Sequence, residues 1–192
     1  MIASLDAAAQ QVAGLGAVVD EITLPDFEIF HSCGRVIAAA KAYAVHEQDL
    51  LTRPRDYGRN TYHRIMVGAT LSAAHLVQAL RLHRKLTSLL NGEVLRTHDA
   101  MISANGLAAA TRLDEFIPDV APKTALQTMP FNVTGNPVLA MPAGFSKSGL
   151  PLGLQIVGRP FDEATVLRVG AAYEAAAGWI HKRPELEMAI AV

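Results

Sequence analysis

The sequence is poor in the residues that mark several classes of protein. It holds one cysteine, Cys33, in 192 residues, which excludes an intrachain disulfide framework and a cysteine-rich zinc site. Only 18% of residues are charged, and 17 basic against 18 acidic residues leave a net charge of −1. We therefore expect neither nucleic acid nor an anionic membrane as a partner.

Segments that direct a chain to or through a membrane are also missing from the sequence. No run reaches about 18 consecutive apolar residues, the length that a membrane-spanning helix needs. The first residues, Met1 to Asp6, lack the basic region and apolar run of a signal peptide. We therefore expect a cytoplasmic protein.

Apolar residues, by contrast, make up 51% of the chain. This surplus fits a large core, an oligomer interface, or a face that a larger domain would cover. No internal repeat, low-complexity tract or linker divides the chain, so residues 1–192 are interpreted as one unit without an internal boundary.

Helix and strand patterns alternate along the first two thirds of the chain, which indicates an α/β fold. Periodicity and flanking glycines or prolines mark each element. The predicted helices are residues 4–12, 34–51 and 72–90, and the predicted strands are residues 18–24 and 99–103.

The C-terminal third is predicted to hold a loop, a hairpin and a helix. Residues 129–137 are dense in helix breakers and are interpreted as a loop. Two apolar strands, residues 138–141 and 152–158, follow it and are joined by a polar turn at 146–149. Asp162 is a suitable N-cap for the last helix.

No complete catalytic or metal-binding set emerges from these residues. The histidines lack the spacing of convergent metal ligands, so no metal is expected, and no phosphate-binding loop or other cofactor motif is present. Ser146 lies in a segment that resembles a nucleophile elbow, but Ser148 stands where that motif requires glycine. Cys33 is better explained as a small buried residue than as a nucleophile.

Several spaced motifs in the C-terminal third resemble the amidase signature family. They are MPFNVTGNP at 129–137, MPAGF at 141–145, GLPLGLQIVG at 149–158 and FDE at 161–163. Weaker similarity covers GLGAVVDEITLP at 14–25 and RIMVGA at 64–69. The resemblance implies part of an α/β/α fold, in which helices flank a mixed β-sheet.

The resemblance also implies hydrolysis of carboxylic amides, but without the residues that perform it. The family's nucleophile is a serine activated through a second serine in a cis peptide and a lysine. All three lie in the N-terminal half, and the two serines lie within a Gly/Ser-rich stretch. No such stretch occurs here, so no catalytic residue is assigned. A hydroxyl without a positioned base is a weak nucleophile. The C-terminal half would contribute a pocket wall, with these substrate-pocket candidates: Phe131, Asn132, Thr134 and Gly135.

Two candidate roles for Asn132 stay open, a contact to substrate and a hydrogen bond to loop backbone. Two departures from the family pattern bear on the substrate. Ala125 stands where the glutamyl-tRNA amidotransferase branch has aspartate, which argues against glutamine as the source of ammonia. Residues 99–106 lack the proline that usually ends that strand.

We therefore expect the C-terminal portion of an amidase from a truncated or split gene, inactive alone. It would act on a small amide substrate only when an N-terminal half completes it. The alternative is a non-enzymatic module that self-associates as a homo-oligomer or binds a complementing chain. A third possibility, an active hydrolase that uses Ser146 or Cys33, lacks an activated nucleophile.

Overall fold

The computed structural model describes residues 1–115 and 127–183. Six α-helices and three strands are found there. The helices are α1 Ile2–Gly14, α2 Phe27–Thr52, α3 Arg59–Met66, α4 Ala73–Leu89, α5 Met129–Thr134 and α6 Glu163–Ala177. The strands are β1 Ala100–Ala104, β2 Val138–Phe145 and β3 Pro151–Gly158.

The three strands form one sheet in the order β1-β3-β2. Both pairs are antiparallel, with Ile102 opposite Ile156 in one and Leu139 opposite Ile156 in the other. The predicted hairpin is confirmed, and β2 runs past its predicted end through a bulge between Pro142 and Gly144. The parallel pair that a mixed sheet needs is not among these described strands.

Helices cover both faces of the sheet, which confirms the expected α/β class. On one face, α1 and α6 pack on β3 through a cluster of Ala8, Ala143, Leu154, Ile156, Val166 and Tyr173. On the other face, α5 and the residues after α4 form a second cluster of Leu90, Leu95, Met101, Phe131 and Val157. A third cluster, Phe30, Cys33, Leu86 and Val133, joins α2 to α4 and α5.

Side-chain caps explain why three of the helices begin where they do. Ser72 Oγ accepts a hydrogen bond from the His75 amide at 3.2 Å, and His75 Nδ1 accepts one from the Ser72 amide at 3.3 Å. Asp162 caps α6 by accepting from the Thr165 amide. Asp26 caps α2, which therefore begins seven residues before the predicted Gly34.

Replacing Ser72 with alanine tests this cap. The variant leaves the His75 amide without its acceptor, and we expect a loss of about 1 kcal/mol in the free energy of unfolding. Urea denaturation followed by circular dichroism measures the loss. Ser72→Asp retains an acceptor and should stay close to the wild type, so equal losses in both variants would contradict the cap.

Two predicted elements are wrong. Residues 18–24 were expected as a strand, yet they pair with none of the described residues and join α1 to α2 without regular structure. Residues 129–137 were expected as a loop, but the first six of them form α5. Pro130 lies in the first turn of α5, where a missing amide hydrogen costs little, and Gly135 ends the helix in a left-handed conformation with φ of 73°.

Candidate functional site

Three of the four predicted pocket residues have a structural role in α5, either in its packing or at its end. Phe131 is 3% exposed and packs in the second cluster beside Val157. The hydroxyl of Thr134 is buried and donates to the Pro130 carbonyl at 3.0 Å. Gly135 supplies the positive φ that ends the helix. These contacts shape the α5 segment and leave the side chains of Phe131 and Thr134 buried.

Asn132 and Gly135 are the exposed members of the four, and Asn132 is the one of the two with a polar side chain. Its side chain makes no hydrogen bond to any of residues 1–115 or 127–183. The alternative role, a hydrogen bond to loop backbone, is therefore not seen among these residues. Its amide is therefore open to a ligand or to another part of a larger protein. A substrate contact stays a prediction for this residue.

Asn136 is a polar residue that the sequence did not single out. It is 9% exposed, and its Nδ2 donates to Asn91 Oδ1 and to the Gly158 carbonyl, each at 2.7 Å. Its Oδ1 is buried without a hydrogen-bond partner within the described part of the chain. Asn136 thus ties the start of β2 to the end of β3 and to the turn after α4. Its place between Gly135 and Pro137, a position suited to short polar side chains, was the available signal.

Arg159 anchors the loop before β1 to the end of β3. Its Nε donates to the Leu95 carbonyl at 2.7 Å, and its Nη2 donates to the His98 carbonyl at 2.9 Å and to Asp99 Oδ1 at 3.1 Å. The two carbonyl bonds lie in a partly buried setting, where charge-assisted hydrogen bonds gain strength. The Arg159 guanidinium therefore has a structural role.

Gln155 connects the sheet to the segment that enters α5. The side chain belongs to a residue 2% exposed at the centre of β3, and its Nε2 donates to the carbonyls of Ala104 at 2.8 Å and Gln127 at 3.0 Å. It also lies 3.3 Å from Ser103 Oγ. This network fixes the approach to α5 and hence the orientation of the helix that carries Asn132.

The described surface holds a cleft of about 230 Å³ away from α5. It is lined by Met1, residues 105–110 and residues 151–153. None of the four pocket candidates lines it. The structure therefore does not gather those candidates into this cleft.

Neither proposed nucleophile is activated by its described neighbours. Ser146 Oγ lies 2.9 Å from Ser148 Oγ and accepts from the Leu150 amide at 3.1 Å, as expected of a turn residue. The Cys33 thiol is buried and donates to the Ala79 carbonyl at 3.3 Å. Burial raises the pKa of the Cys33 thiol, which disfavours the thiolate form.

The described residues offer neither a cluster of metal ligands nor a single membrane-spanning helix. Residues 1–115 and 127–183 contain no group of three or more His, Cys, Asp or Glu side chains that could hold a metal ion. Within those ranges no single helix has the length and apolar composition of a membrane span. The helix pair Arg59–Thr70 and Ala73–Val94 reaches that length and composition only when the two helices are counted together, and they are bent by 98° relative to each other.

The layered arrangement of helices over an antiparallel sheet defines an α/β protein. The motifs at 129–137, 141–145 and 149–158 lie on α5 and the hairpin. The family model described as Amidase matches residues 1–167. The chain belongs to the amidase signature family.

Relatives and solved structures agree with this assignment. The chain is 30% identical over 205 residues to the A-type subunit of the glutamyl-tRNA(Gln) amidotransferase of Brevibacillus brevis, covering 93% of this chain. It is 36% identical over 148 residues to the corresponding subunit of Myxococcus xanthus, covering 72% of this chain and 30% of the relative. A solved structure, reported as a vestigial protein complex that reveals the origins of an s-triazine catabolic enzyme, superposes with a TM-score of 0.77 at 28% identity.

The chain spans only part of each of these proteins. It covers 42% of the Brevibacillus brevis relative. It covers 39% of the solved chain, although 92% of its own residues are matched there. Most of each relative therefore has no counterpart among these 192 residues.

Proposed function

We propose that these residues form the C-terminal portion of an amide hydrolase and are inactive on their own. The observation that carries this proposal is the Amidase match over residues 1–167 of a chain that contains no Gly/Ser-rich stretch. The chain would supply a pocket wall, whereas the nucleophile, its base and the oxyanion-binding amides would come from the remainder of the family fold. Those groups supply the largest part of the rate acceleration in acyl transfer.

The pocket wall in this proposal is α5, with Asn132 as the polar contact. Three observations support it: the side chain is exposed, its helix is anchored in the core through the buried Phe131, and the Gln155 network fixes the approach to that helix. A rigid support of this kind is what a substrate-positioning residue needs. The substrate class is a small carboxylic amide.

Glutamine is not the amide we propose, although the curated relatives named above belong to glutamyl-tRNA(Gln) amidotransferases. The reason is Ala125, which replaces an acidic residue of that branch. Ala125 lies outside the described residues, so this expectation rests on the sequence. A glutaminase assay of the completed enzyme tests it, since ammonia release from free glutamine would contradict it.

A second candidate is a non-enzymatic module that binds a complementing chain or itself. The exposed apolar side chains near the N-terminus favour it, with Val18 90% exposed and Leu15 54% exposed. The names of the similar proteins describe one component of a larger enzyme and a member of a complex. This candidate requires binding without turnover.

An activity assay with a complementing segment separates the two candidates. The purified chain is mixed with the N-terminal part of the Brevibacillus brevis relative, which by the resemblance carries the Ser–Ser–Lys set, and both are assayed on aryl and aliphatic amides. We expect turnover in the mixture and none from either part alone. The matched variant Ser146→Ala should behave as the wild type.

Two outcomes would contradict the hydrolase proposal. Turnover by the chain alone that vanishes in Ser146→Ala would show that the chain carries its own nucleophile. A complex that forms but releases no product from any of the amides would favour the binding module.

A further inference from the structure

The outer face of α4 carries positive charge that no acidic residue of the helix balances. Arg84 and Lys85 follow Arg81 by three and four residues, so the three side chains share one face. All three are exposed. Residues 73–89 contain no aspartate or glutamate. None of the three cations forms an ion pair or a hydrogen bond with any of residues 1–115 or 127–183.

These cations do not contribute to the stability of α4. Arg81 is followed by like charges at the third and fourth positions, and pairs of this kind destabilise a helix. The inner face of α4 is apolar, and its Ala79 and Leu86 are buried. Packing in the core therefore explains the inner face of the helix and leaves the charge of its outer face unexplained.

Two exposed aliphatic side chains lie beside the cations. Val77 is 46% exposed and precedes Arg81 by four residues, one helical turn. Leu80 is 42% exposed and precedes Arg84 by the same interval. The outer surface of the helix thus begins as an apolar patch and continues as a basic one. We call this surface the α4 face: Val77, Leu80, Arg81, Arg84 and Lys85.

We propose that the α4 face is a docking surface for an acidic amphipathic helix of a separate partner protein. Carboxylates of the partner pair with the three cations, and its apolar side chains cover Val77 and Leu80. Charge complementarity of this kind selects the partner, and arginine is a residue type that protein interfaces favour. Docking requires no amide turnover, so the inference does not depend on the proposed function.

The charge of the α4 face favours a separate protein over a further layer of the same fold. An unpaired guanidinium or ammonium group is costly to bury in a protein interior. These cations therefore suit the surface of a larger protein as well as the surface of this chain. The face spans residues 77–85, about 12 Å of helix at 1.5 Å per residue. So short a face fits a weak and reversible contact.

Other anionic or helical occupants match the α4 face less well. The chain has a net charge of −1, which repels nucleic acid at long range. A helix that lies on a membrane inserts its broad apolar face, whereas that face of α4 packs in the core through Leu82 and Leu86. In a two-fold dimer, the α4 faces of two copies would meet with like charge.

Binding of a synthetic peptide to the whole chain tests the proposal. The probe is a fluorescein-labelled helical peptide with glutamates and leucines on one face, followed by fluorescence anisotropy. The control peptide carries glutamine in place of each glutamate. We expect saturable binding of the glutamate peptide and at least about tenfold weaker binding of the glutamine peptide. Raising the salt from roughly 50 to 300 mM should also weaken the glutamate peptide, since the contact is exposed.

Matched charge reversals locate the contact. Arg81→Glu should weaken the Kd for the glutamate peptide by about tenfold or more, because it places a carboxylate at the centre of the α4 face. Arg55→Glu makes the same change of charge at an exposed residue of the 3-10 turn after α2, and it should alter the Kd by less than about twofold.

Thermal denaturation by circular dichroism checks the Arg81→Glu variant. Its new carboxylate can pair with Lys85 four residues further on, so we expect a folded protein at least as stable as the wild type. A clear loss of stability would show that Arg81 supports the fold, which contradicts the idle charge on which the proposal rests.

Three binding results would also overturn the proposal: no binding of the glutamate peptide, equal binding of the two peptides, or equal effects of the two variants. Single-stranded oligouridine and vesicles that contain phosphatidylglycerol are titrated in parallel. If either binds more tightly than the glutamate peptide and loses affinity in Arg81→Glu, the α4 face belongs to nucleic acid or to a membrane instead.

Discussion

Replacing Phe131 with alanine is expected to cost about 3–5 kcal/mol of folding free energy, as measured for buried aromatic residues. Phe131 is 3% exposed and contacts the cluster that joins α5 to the far face of the sheet. The free energy of unfolding of a domain is roughly 5–15 kcal/mol, so the variant should lose a large part of its stability.

Fluorescence of Trp179, the single tryptophan of the chain, provides the measurement in a urea titration. Its ring packs edge-to-face against Phe145 at 5.8 Å, and its Nε1 donates to the Tyr173 hydroxyl at 3.2 Å. Unfolding of the sheet therefore changes its environment. Trp179 is not part of the Phe131 cluster, so the signal reports on cooperative unfolding rather than on the mutated site.

Asn132→Ala is the matched control, because the two residues are neighbours on α5 with opposite exposure. We expect it to change stability by less than about 0.5 kcal/mol, as is usual for surface positions. In the completed enzyme it should raise KM for the amide if the side chain contacts substrate. Equal destabilisation by both variants would contradict the described orientation of α5.

The sequence predicted best those elements whose ends carry their own signals. The spacing of Ala79 and Leu86 located α4, and the N-cap Asp162 located α6, because an apolar face and a cap both act within a few residues. The hairpin followed from its polar turn in the same way. Such signals need no knowledge of distant parts of the chain.

The two wrong predictions depended on what lies beyond the neighbouring residues. Residues 18–24 have strand composition, but a strand exists only with a partner, and none of the described residues provides one. In residues 129–137 the prolines and the glycine indicated a loop, because both residue types interrupt helices. Pro130 and Gly135 instead lie at the start and the end of a short helix, where each residue type is favoured. Burial of Phe131 and Val133 then stabilises a helix that propensity alone does not favour.

The sequence predicted which residues form the candidate site, but not the contacts that those residues make. The motif at 129–137 drew attention to four residues, and the structure gives Phe131, Thr134 and Gly135 internal contacts or a capping role. Asn136, within the same motif, makes the longest-range hydrogen bonds of the group. Those bonds join residues 22 and 45 positions away, and no local pattern encodes them.

Replacing Gly68 with alanine is the second large effect that we expect. Gly68 lies in the 3-10 turn Val67–Thr70 against α2, and a Cβ built there meets the Ala39 carbonyl oxygen and the Tyr43 Cβ. A rotamer change does not move either atom, so the turn or α2 must shift. Overpacking of this kind costs about 1–3 kcal/mol and occasionally more.

Gly14→Ala is the matched control for this substitution. Gly14 is the last residue of α1, and a Cβ there meets nothing within 4 Å. Because alanine favours a helix over glycine, this variant should be neutral or gain up to about 1 kcal/mol. The same urea titration compares the two, and equal stability of Gly68→Ala and the wild type would contradict the close approach. The glycine of the RIMVGA motif is then explained by packing, since it allows the turn before α4 to contact the backbone of α2.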